Sequence, residues 1–571
     1  MSINTIEVAT ADRGSLAKRI VDAAAHELAA NALAIAGLTL ALAGVPVGWA
    51  LGVGAIALFI ALIPEITQAA HPGNRTRPTG RFTLSRAVLA ISIGLVYNDP
   101  SSAWVTWASV ALLSMLIAGE VTVRRIVDGA IPYAAHVPGL SVRNYGLFRA
   151  SKIFYVNSAL LVIFGALALL HVSAWVSLVV LFLGAIPSAV VILDGIIRIR
   201  GRRIADRSIT QVLTEYEPAF VVHWDAPSGT EYQLSMWLPY LERLNKRYFV
   251  IVRNQHTFDA VCALTSAPVL LRKTLVDQDA MVVPSLKAAF YVNNGIRNSH
   301  FVRFPGITHI QLNHGDSDKA PSHNPVFRMF DKNFVAGRAA IDRFAAHGVS
   351  TPTDFFAIVG RPQVESVQVG ARPDADPQSP VVLYAPTWAG HNADSNYTSL
   401  PNGYEIVAAL LQRGCTVIYR SHPYTHLDKN NHAQSQRIAT LLASDAAATG
   451  RKHLYGEYAE RILTMIECFN ASDALISDIS SVVPDFLFSG KPFAISMMSE
   501  TEDAFIDEFP IGKAAYLIGA DLSGLDDAIE GLLGADSLQH VRHELKSYYL
   551  GDFDDNDYAS HFVTEALKYV Q

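Results

Sequence analysis

The chain has 571 residues, half of them hydrophobic, with 45 Lys and Arg against 52 Asp and Glu and a formal net charge of −7. That acidic balance excludes nucleic acid as the main partner, because a phosphate-neutralising surface needs a basic excess. The mean hydropathy of +0.24 is high for a purely soluble protein, and the three scattered cysteines, Cys262, Cys415 and Cys468, lack metal-type spacing and read as reduced cytosolic thiols.

The apolar excess sits in the first third. From Asn31 to Pro64 there is no Asp, Glu, Lys or Arg. A crossing helix needs about 20 apolar residues, so this stretch is too long for one span and just long enough for two, with Gly44, Pro46 and Gly48 as the turn. The pattern recurs twice. Ala87 to Asn98 and Ser101 to Gly119 flank an Asn98-Asp99-Pro100 break, and Ile153 to Leu170 and Ser173 to Leu193 flank His171. Three hairpins, or about six helices, are expected over residues 1–205.

Charge placement agrees. Basic residues fall at Arg13, Lys18 and Arg19, at Arg75, Arg77, Arg81 and Arg86, at Arg124, Arg125, Arg143, Arg149 and Lys152, and at Arg198, Arg200, Arg202, Arg203 and Arg207. None lies in a hairpin turn. By the excess of Lys and Arg in cytoplasmic loops, both termini are expected in the cytosol. The polar first 30 residues and the length of the apolar region argue against a cleaved signal peptide. The run Gly52-Val53-Gly54-Ala55-Ile56-Ala57 fits a loose dinucleotide pattern, but with no preceding strand it reads as small residues for helix packing in lipid.

From about Glu215 the texture changes to short apolar runs alternating with amphipathic stretches. Strands are predicted at Ala219–His223, Tyr248–Val252, Ala288–Val292, Ile307–Leu312, Val381–Tyr384, Val417–Tyr419 and Ala474–Ser477. Helices are predicted at Tyr232–Leu244, Ala339–Ala346, Glu405–Arg413 and Tyr458–Asn470. Alternation of this kind gives parallel sheets with right-handed crossovers. Single cores stop growing near roughly 250–300 residues, so two α/β Rossmann-like domains are expected, 215–350 and 351–571, with a seam at Gly348–Thr353.

Ligands of open parallel sheets sit beyond the carboxyl ends of the strands, and the polar clusters fall there. His314-Gly315-Asp316 follows one strand, Ala385-Pro386-Thr387-Trp388 a second, Arg420-Ser421-His422-Pro423 a third and Asp478-Ile479-Ser480-Ser481 a fourth. Asp478, Ser480 and Ser481 offer N-cap oxygens before a helix that contains Pro484 and stops at Gly490-Lys491-Pro492. Hydroxyls and unpaired N–H groups at a helix start suit an anion, and a neighbouring Arg420 and His422 suit phosphate.

These ordered motifs resemble the CDP-glycerol glycerophosphotransferase family, the teichoic-acid-type polymerases and primases with a two-Rossmann, glycosyltransferase-B fold. The resemblance spans roughly Ala219 to Tyr569. His314-Gly315-Asp316-Ser317-Asp318-Lys319 partly meets H-G-T-P-x-K, Tyr384-Ala385-Pro386-Thr387-Trp388 fully meets Y-A-P-T-W, and Arg420-Ser421-His422-Pro423 meets R-x-H-P. Asp478-Ile479-Ser480-Ser481, with Asp485 and Lys491-Pro492 following, is similar to D-Y-S-S, and Asp554-Asp555-Asn556-Asp557-Tyr558-Ala559-Ser560 is similar to D-D-G-x-A-S with one extra residue. Two positions depart. Asp316 and Ser317 replace the Thr and Pro of the first motif, and Gln363 replaces the arginine of G-x-P-R in Gly360-Arg361-Pro362-Gln363, with Arg361 offering the charge two positions earlier.

The resemblance implies a membrane-anchored enzyme that moves an alditol phosphate, glycerol phosphate first, from a CDP-alditol to a hydroxyl of a lipid-linked or polymer acceptor. CMP is released, and the product is a teichoic-acid-like or capsular polymer. It implies His314 as base, Gly315 as a close backbone approach, and His422 with Arg420 and Ser421 around the pyrophosphate. Ser480 and Ser481 would receive phosphate oxygens, Pro386, Thr387 and Asp485 would fix the donor, and Ser317, Arg361 and Gln363 would lie on the donor side, with Lys319 facing phosphate. Asp316 and Asp318 would orient His314 or bind donor hydroxyls; read as D-x-D they would hold a divalent ion, but no metal or other cofactor is expected. Two other classes stay open: a nucleotide-sugar-dependent glycosyltransferase of the same fold, marked by release of UDP or GDP, and a non-catalytic nucleotide sensor, marked by binding without turnover.

Overall fold

A computed structural model of the chain describes residues 25–46, 49, 52–59, 80–97, 102–130, 132–315, 317–390, 396–498 and 501–571. Arg13, Lys18, Arg19, Arg75, Arg77, Gly48, the Asn98-Asp99-Pro100 break and Asp316 lie outside the described residues. The chain divides into two compact units, one of residues 1–134 and 140–208, the other of residues 135–139 and 209–571.

The first unit is helical. Its described helices are Ala25–Leu42, 52–59, Thr83–Val96, Ala103–Gly129, Ser151–Leu169 and Ala174–Tyr216, which runs on past the unit boundary. Three of them, Ala25–Leu42, Ser151–Leu169 and Ala174–Tyr216, are long and apolar enough to cross a membrane. Ala174–Tyr216 has 43 residues, about twice what a crossing needs, and its charge-free part ends at Leu193. His171, in the left-handed conformation with φ of 52°, ends Ser151–Leu169 where the sequence places a turn. Many outward side chains of this unit are large and apolar, among them Leu42, Phe59, Met115, Phe182 and Leu193, the kind of surface that marks a protein or membrane contact. Trp49, Trp104 and Trp175, one near each expected hairpin turn, are exposed, and Trp104 and Trp175 meet edge to face at 5.3 Å.

Arg86 corrects the sequence reading. The charge pattern assigns it to a basic loop, beside an apolar region nearly free of internal charge, yet it lies inside Thr83–Val96 and is fully buried. Its two terminal nitrogens donate to the two carboxylate oxygens of Glu120, each at 2.7 Å. Glu120 also accepts from Asn157 Nδ2 and from the Gly80 N–H, both at 2.9 Å. The guanidinium stacks 4.5 Å from the centre of the Phe154 ring. Three helices are thereby tied at one point, through partners so far apart in sequence that local patterning does not show them. Removing one partner of a buried pair strands the other charge and costs about 3–5 kcal/mol. Glu120→Ala is therefore expected to lower the thermal unfolding midpoint of the detergent-solubilised protein sharply, with the double variant Arg86→Met/Glu120→Leu recovering most of the loss.

The second unit holds two sheets. Strands are β1 (Ala134–Ala135), β2 (Phe220–Trp224), β3 (Tyr248–Val252), β4 (Val269–Leu271), β5 (Ala288–Tyr291), β6 (Thr308–Gln311), β7 (Lys332–Val335), β8 (Phe356–Ile358), β9 (Val381–Ala385), β10 (Thr416–Tyr419), β11 (Ala474–Ser477), β12 (Phe493–Ser496) and β13 (Tyr516–Ile518). The first sheet has the order β1-β4-β3-β2-β5-β6-β7-β8 and the second β10-β9-β11-β12-β13. Neighbours from β2 to β13 all run parallel. β2 and β3 are buried at every residue, which is why they read as continuous apolar runs rather than alternating ones.

The first sheet extends beyond the expected seam at Gly348–Thr353, because β8 pairs with β7 in parallel. The chain also returns to this sheet at its end, where Phe562 of helix Ser560–Leu567 packs on Trp237 and Phe334. A single cluster of buried residues includes Ala336 and Ala339 beside Leu383, Phe486, Tyr549 and Tyr558, so the two sheets share a core. The expected helix Tyr232–Leu244 is two short ones, Tyr232–Ser235 and Leu238–Glu242, the second with Pro239 in its first turn. The expected helix Tyr458–Asn470 is a π-turn, Tyr458–Ile462, followed by Met465–Asn470, which Thr464 and Glu467 start with a reciprocal capping box.

Candidate active site

Strand register sets the site. β9 lies between β10 and β11, with Tyr384 opposite Tyr419 and Ala385 opposite Ser477. The chain therefore leaves these three strands side by side, and the segments Pro386-Thr387, Arg420-Ser421-His422 and Asp478 to Ser481 emerge together. Ser477 Oγ donates to the Ala385 carbonyl at 2.7 Å, and the Thr387 N–H donates to Asp478 Oδ2 at 2.7 Å. Asp478 is wholly buried, and burial pushes its carboxyl up to about 6 against the lowering effect of Ser399, the Thr387 N–H and Lys319.

The fourth cluster comes from the first sheet. After β6, Asn313 adopts the left-handed conformation with φ of 59°, which asparagine tolerates better than most residues. Its carbonyl accepts from the Trp237 indole at 2.5 Å and its Nδ2 donates to Asn333 at 3.1 Å. This turn delivers His314 and Gly315. A β-carbon at Gly315 would lie 2.8 Å from Ser481 Oγ and 2.9 Å from Ser481 Cβ, closer than side chains pack, so only glycine lets the two segments meet. Four residues on, Lys319 Nζ donates to Thr387 Oγ1 at 3.2 Å and sits 5.3 Å from the centre of the Tyr397 ring. The His314–Lys319 segment thus touches the strand ends of the second sheet at both of its ends.

The two histidines hold their protons on opposite ring nitrogens. His314 Nδ1 is 3.0 Å from the Val292 carbonyl, a group that only accepts, so Nδ1 carries the proton and Nε2 is a bare lone pair. The Tyr424 N–H donates to His422 Nδ1 at 3.1 Å, so His422 carries its proton on Nε2. Burial lowers both rings to about 4, helped by the charge of Arg361 at His314 and of Lys319 at His422. Both are neutral at physiological pH, one as acceptor and one as donor. His422 also stacks on Trp388, with ring centres 5.9 Å apart, and Tyr424 closes the cluster edge-on.

Several other sequence-selected residues are directed elsewhere. Arg420, expected at the pyrophosphate, donates from Nη1 to the carbonyls of Ala459 and Leu463, the latter at 2.7 Å, because the end of the π-turn leaves carbonyls without intrahelical partners. Ser421 Oγ donates to Glu460 at 2.5 Å. Asp318 is buried, with Oδ1 accepting from Arg343 at 2.7 Å and Oδ2 from the Tyr549 hydroxyl at 2.8 Å. Both its oxygens are hydrogen-bonded within the protein. Ser317 faces Ser322 Oγ at 3.4 Å. Arg361, next to Gly360 at φ of 76°, pairs with Asp485 through Nε at 3.0 Å and takes the Tyr558 hydroxyl on its backbone N–H at 2.9 Å. Gln363 Nε2 donates to the Met236 carbonyl at 3.1 Å. Ser480 Oγ accepts from the Val482 N–H at 3.3 Å, while Ser481, the N-cap of the six-residue helix Val482–Leu487, makes no side-chain cap bond. Lys491 is buried against the Phe469 and Ser472 carbonyls. The Asn313 turn, the Trp388–His422–Tyr424 cluster and Asp478's hold on Thr387 escape sequence reasoning. Only the pairing of Asn with a following His-Gly at a strand end hints at the first.

Residues 365–503 match the family described as CDP-Glycerol:Poly(glycerophosphate) glycerophosphotransferase. The match covers that stretch alone. In it lie Thr387, Arg420, His422, Ser480, Ser481 and Asp485, while His314–Lys319 and Arg361 precede it. Among solved structures the chain is similar to the wall teichoic acid polymerase TagF, in a variant soaked with CDPG, at 15% identity over 64% of this chain and 94% of that one with a TM-score of 0.39. It is also similar to an S. aureus MnaA–UDP co-structure, at 13% identity over 62% and 96% with a TM-score of 0.41. A third likeness is to a UDP-N-acetylglucosamine 2-epimerase from Listeria monocytogenes, at 13% identity over 60% and 93% with a TM-score of 0.39. No curated protein matches the chain.

The contact between the glycerophosphotransferase-family segment and the loop before it is testable by packing. Gly315→Ala is expected to destabilise the protein by about 1–3 kcal/mol through overpacking, read as the denaturant midpoint, and Gly315→Ala/Ser481→Gly is expected to regain most of that loss.

Proposed function

We propose that the protein transfers an alditol phosphate from a CDP-alditol, CDP-glycerol first, to a hydroxyl of a lipid-linked or polymeric acceptor, releasing CMP, in the synthesis of a teichoic-acid-like or capsular envelope polymer. The observation that carries the reading is the close approach of the His314-Gly315 turn to Ser481, with Lys319 bonded to Thr387 beyond the neighbouring strand; the hydrogen bonds of His314 and His422 leave the first ring an acceptor and the second a donor. The family of residues 365–503 and the order of the sequence motifs support it. Phosphoryl transfer of this kind needs placement, charge balance and a proton acceptor rather than a covalent enzyme intermediate.

In this mechanism the acceptor hydroxyl gives its proton to His314 Nε2 as its oxygen attacks the β-phosphorus. The bond between that phosphorus and the oxygen of CMP breaks. His422 Nε2–H donates a hydrogen bond to the phosphates, and Ser480 and Ser481 receive phosphate oxygens. Pro386, Thr387 and Trp388 line the donor's path. Arg361 and Asp485, already paired, serve as a fixed dipole beside His314. The mechanism invokes no divalent ion, and EDTA is expected to leave turnover intact.

The membrane part of the reading rests on the three long apolar helices, the one-sided basic residues and the tryptophans near the hairpin turns, which mark a membrane–water interface. We infer about six spans with both termini and the catalytic unit in the cytosol, so that the enzyme is tethered to the bilayer that carries a lipid-linked acceptor.

The deciding experiment incubates the purified protein with CDP-glycerol and with CDP-ribitol and follows CMP. Release of CMP is expected; release of UDP or GDP from nucleotide-sugars instead transfers the assignment to a glycosyltransferase, and tight CDP-glycerol binding without turnover to a sensor. His314→Ala is expected to lower kcat by about 10²–10⁴ with the thermal midpoint unchanged. Because both rings titrate at about 4, the rate is expected to stay level as pH falls through the ordinary histidine range and to drop only as it nears that value. An acid limb near the ordinary histidine value of about 6.5 would remove His314 from the base role.

A further inference from the structure

The departing CMP carries new negative charge, and the arginines around the site are occupied. Arg343 is held by Asp318, Arg361 by Asp485 and Arg420 by backbone carbonyls, and both histidines are neutral. Lys319 differs. It reaches from the first sheet to the strand ends of the second, is mostly buried, and spends one N–H on Thr387 Oγ1, leaving two of its three ammonium protons for other acceptors. The groups facing it are Asp478 at the end of β11, His422 beyond β10, and Thr387 and Tyr397 beyond β9.

Resting on the CDP-alditol reaction assigned to this site, we propose that Lys319, which the resemblance only turns toward phosphate, is the cation that neutralises the phosphate of the leaving nucleoside monophosphate, the role that the motifs give to Arg420 with His422. As the acceptor oxygen bonds to the β-phosphorus and the bond to CMP breaks, the acceptor proton passes to His314 and the charge gained by CMP falls on the Lys319 ammonium, which keeps its own protons. Burial of a single ammonium at this point is costly without a counter-charge. Asp478, whose carboxyl is pushed up to about 6 and is therefore largely ionised at neutral pH, supplies one counter-charge, already shared with the Thr387 N–H. A bound phosphate completes the pairing, and a charge in a water-excluded site acts more strongly on a developing anion than one in solution.

Burial lowers the Lys319 ammonium to about 8, with Asp478 opposing the shift. The charged form is present below that pH and is lost as pH rises through it, so CMP release is expected to fall with an alkaline limb at about 8. Arginine does not titrate in this range. The experiment uses the full-length protein in detergent and measures CMP release against pH for wild type, Lys319→Arg and Lys319→Met, together with calorimetric CMP binding and thermal midpoints. Lys319→Met is expected to lose about 10²–10³ in kcat with KM little changed, and to bind CMP at least about tenfold more weakly. Lys319→Arg is expected to retain turnover and to shift the alkaline limb upward. An Lys319→Met enzyme with wild-type kcat and CMP affinity, or an Lys319→Arg enzyme that keeps the wild-type limb, overturns the assignment; the latter arm decides if Lys319→Met fails to fold. If the wild type turns over no CDP-alditol yet binds CMP in a Lys319-dependent way, the reaction assignment fails while the phosphate contact stands.

Discussion

Everything chemical in this protein depends on one segment crossing from the first sheet to the second. It is held by its flanks: Asn313 by Trp237 and Asn333, and Asp318 by Arg343 and Tyr549. Between and beside those anchors His314, Gly315 and Lys319 are presented to the strand ends of the second sheet. The near contact at Gly315 admits no side chain, so the crossing is fixed by an absence of atoms as much as by bonds. Anchors that are buried and fully hydrogen-bonded suit a catalytic loop, because a misplacement of about 1 Å costs orders of magnitude in rate.

The electrostatics follow from the same arrangement. The pyrophosphate proposed for these strand ends would need positive charge, yet several cations packed together would repel each other before it arrived. Here the arginines are neutralised or spent on carbonyls, the histidines are held neutral by desolvation, and one ammonium remains near an acid that is itself close to its titration point. Hydrogen-bond donors rather than a cluster of full charges therefore await the ligand, which limits the desolvation cost of the empty site.

Much of this is readable from residues alone. Parallel strands buried on both faces declare themselves as apolar runs, so β2, β3, β5, β6, β9, β10 and β11 are all legible, and the rule that ligands gather past strand ends picks out His314, Thr387, His422 and the serine pair. The strands β4, β8 and β13 are not, since three residues carry too little pattern, and β7 and β12, though as long as β5 or β6, are not singled out by the sequence either. Nor is the direction of charged side chains legible. Arg420 and Asp318 sit in motifs that suggest ligand contact, but their partners, Leu463 and Tyr549, lie far along the chain and lack any local signature. Arg86 fails for the same reason: its charge is visible, but its partner Glu120 is not.

That last pair bears on the membrane placement proposed for the apolar unit. An arginine entering hydrocarbon alone faces an insertion penalty of about 2.5–3.5 kcal/mol, and a carboxylate alone fares no better. The segment around Arg86 is short and marginal as an independent span, whereas Thr83–Val96 and Ala103–Gly129 arriving together can neutralise each other before either is committed. The ion pair ties these two helices to each other, and Asn157 on Ser151–Leu169 adds a third, so under the proposed membrane placement no one of them carries an uncompensated charge into hydrocarbon.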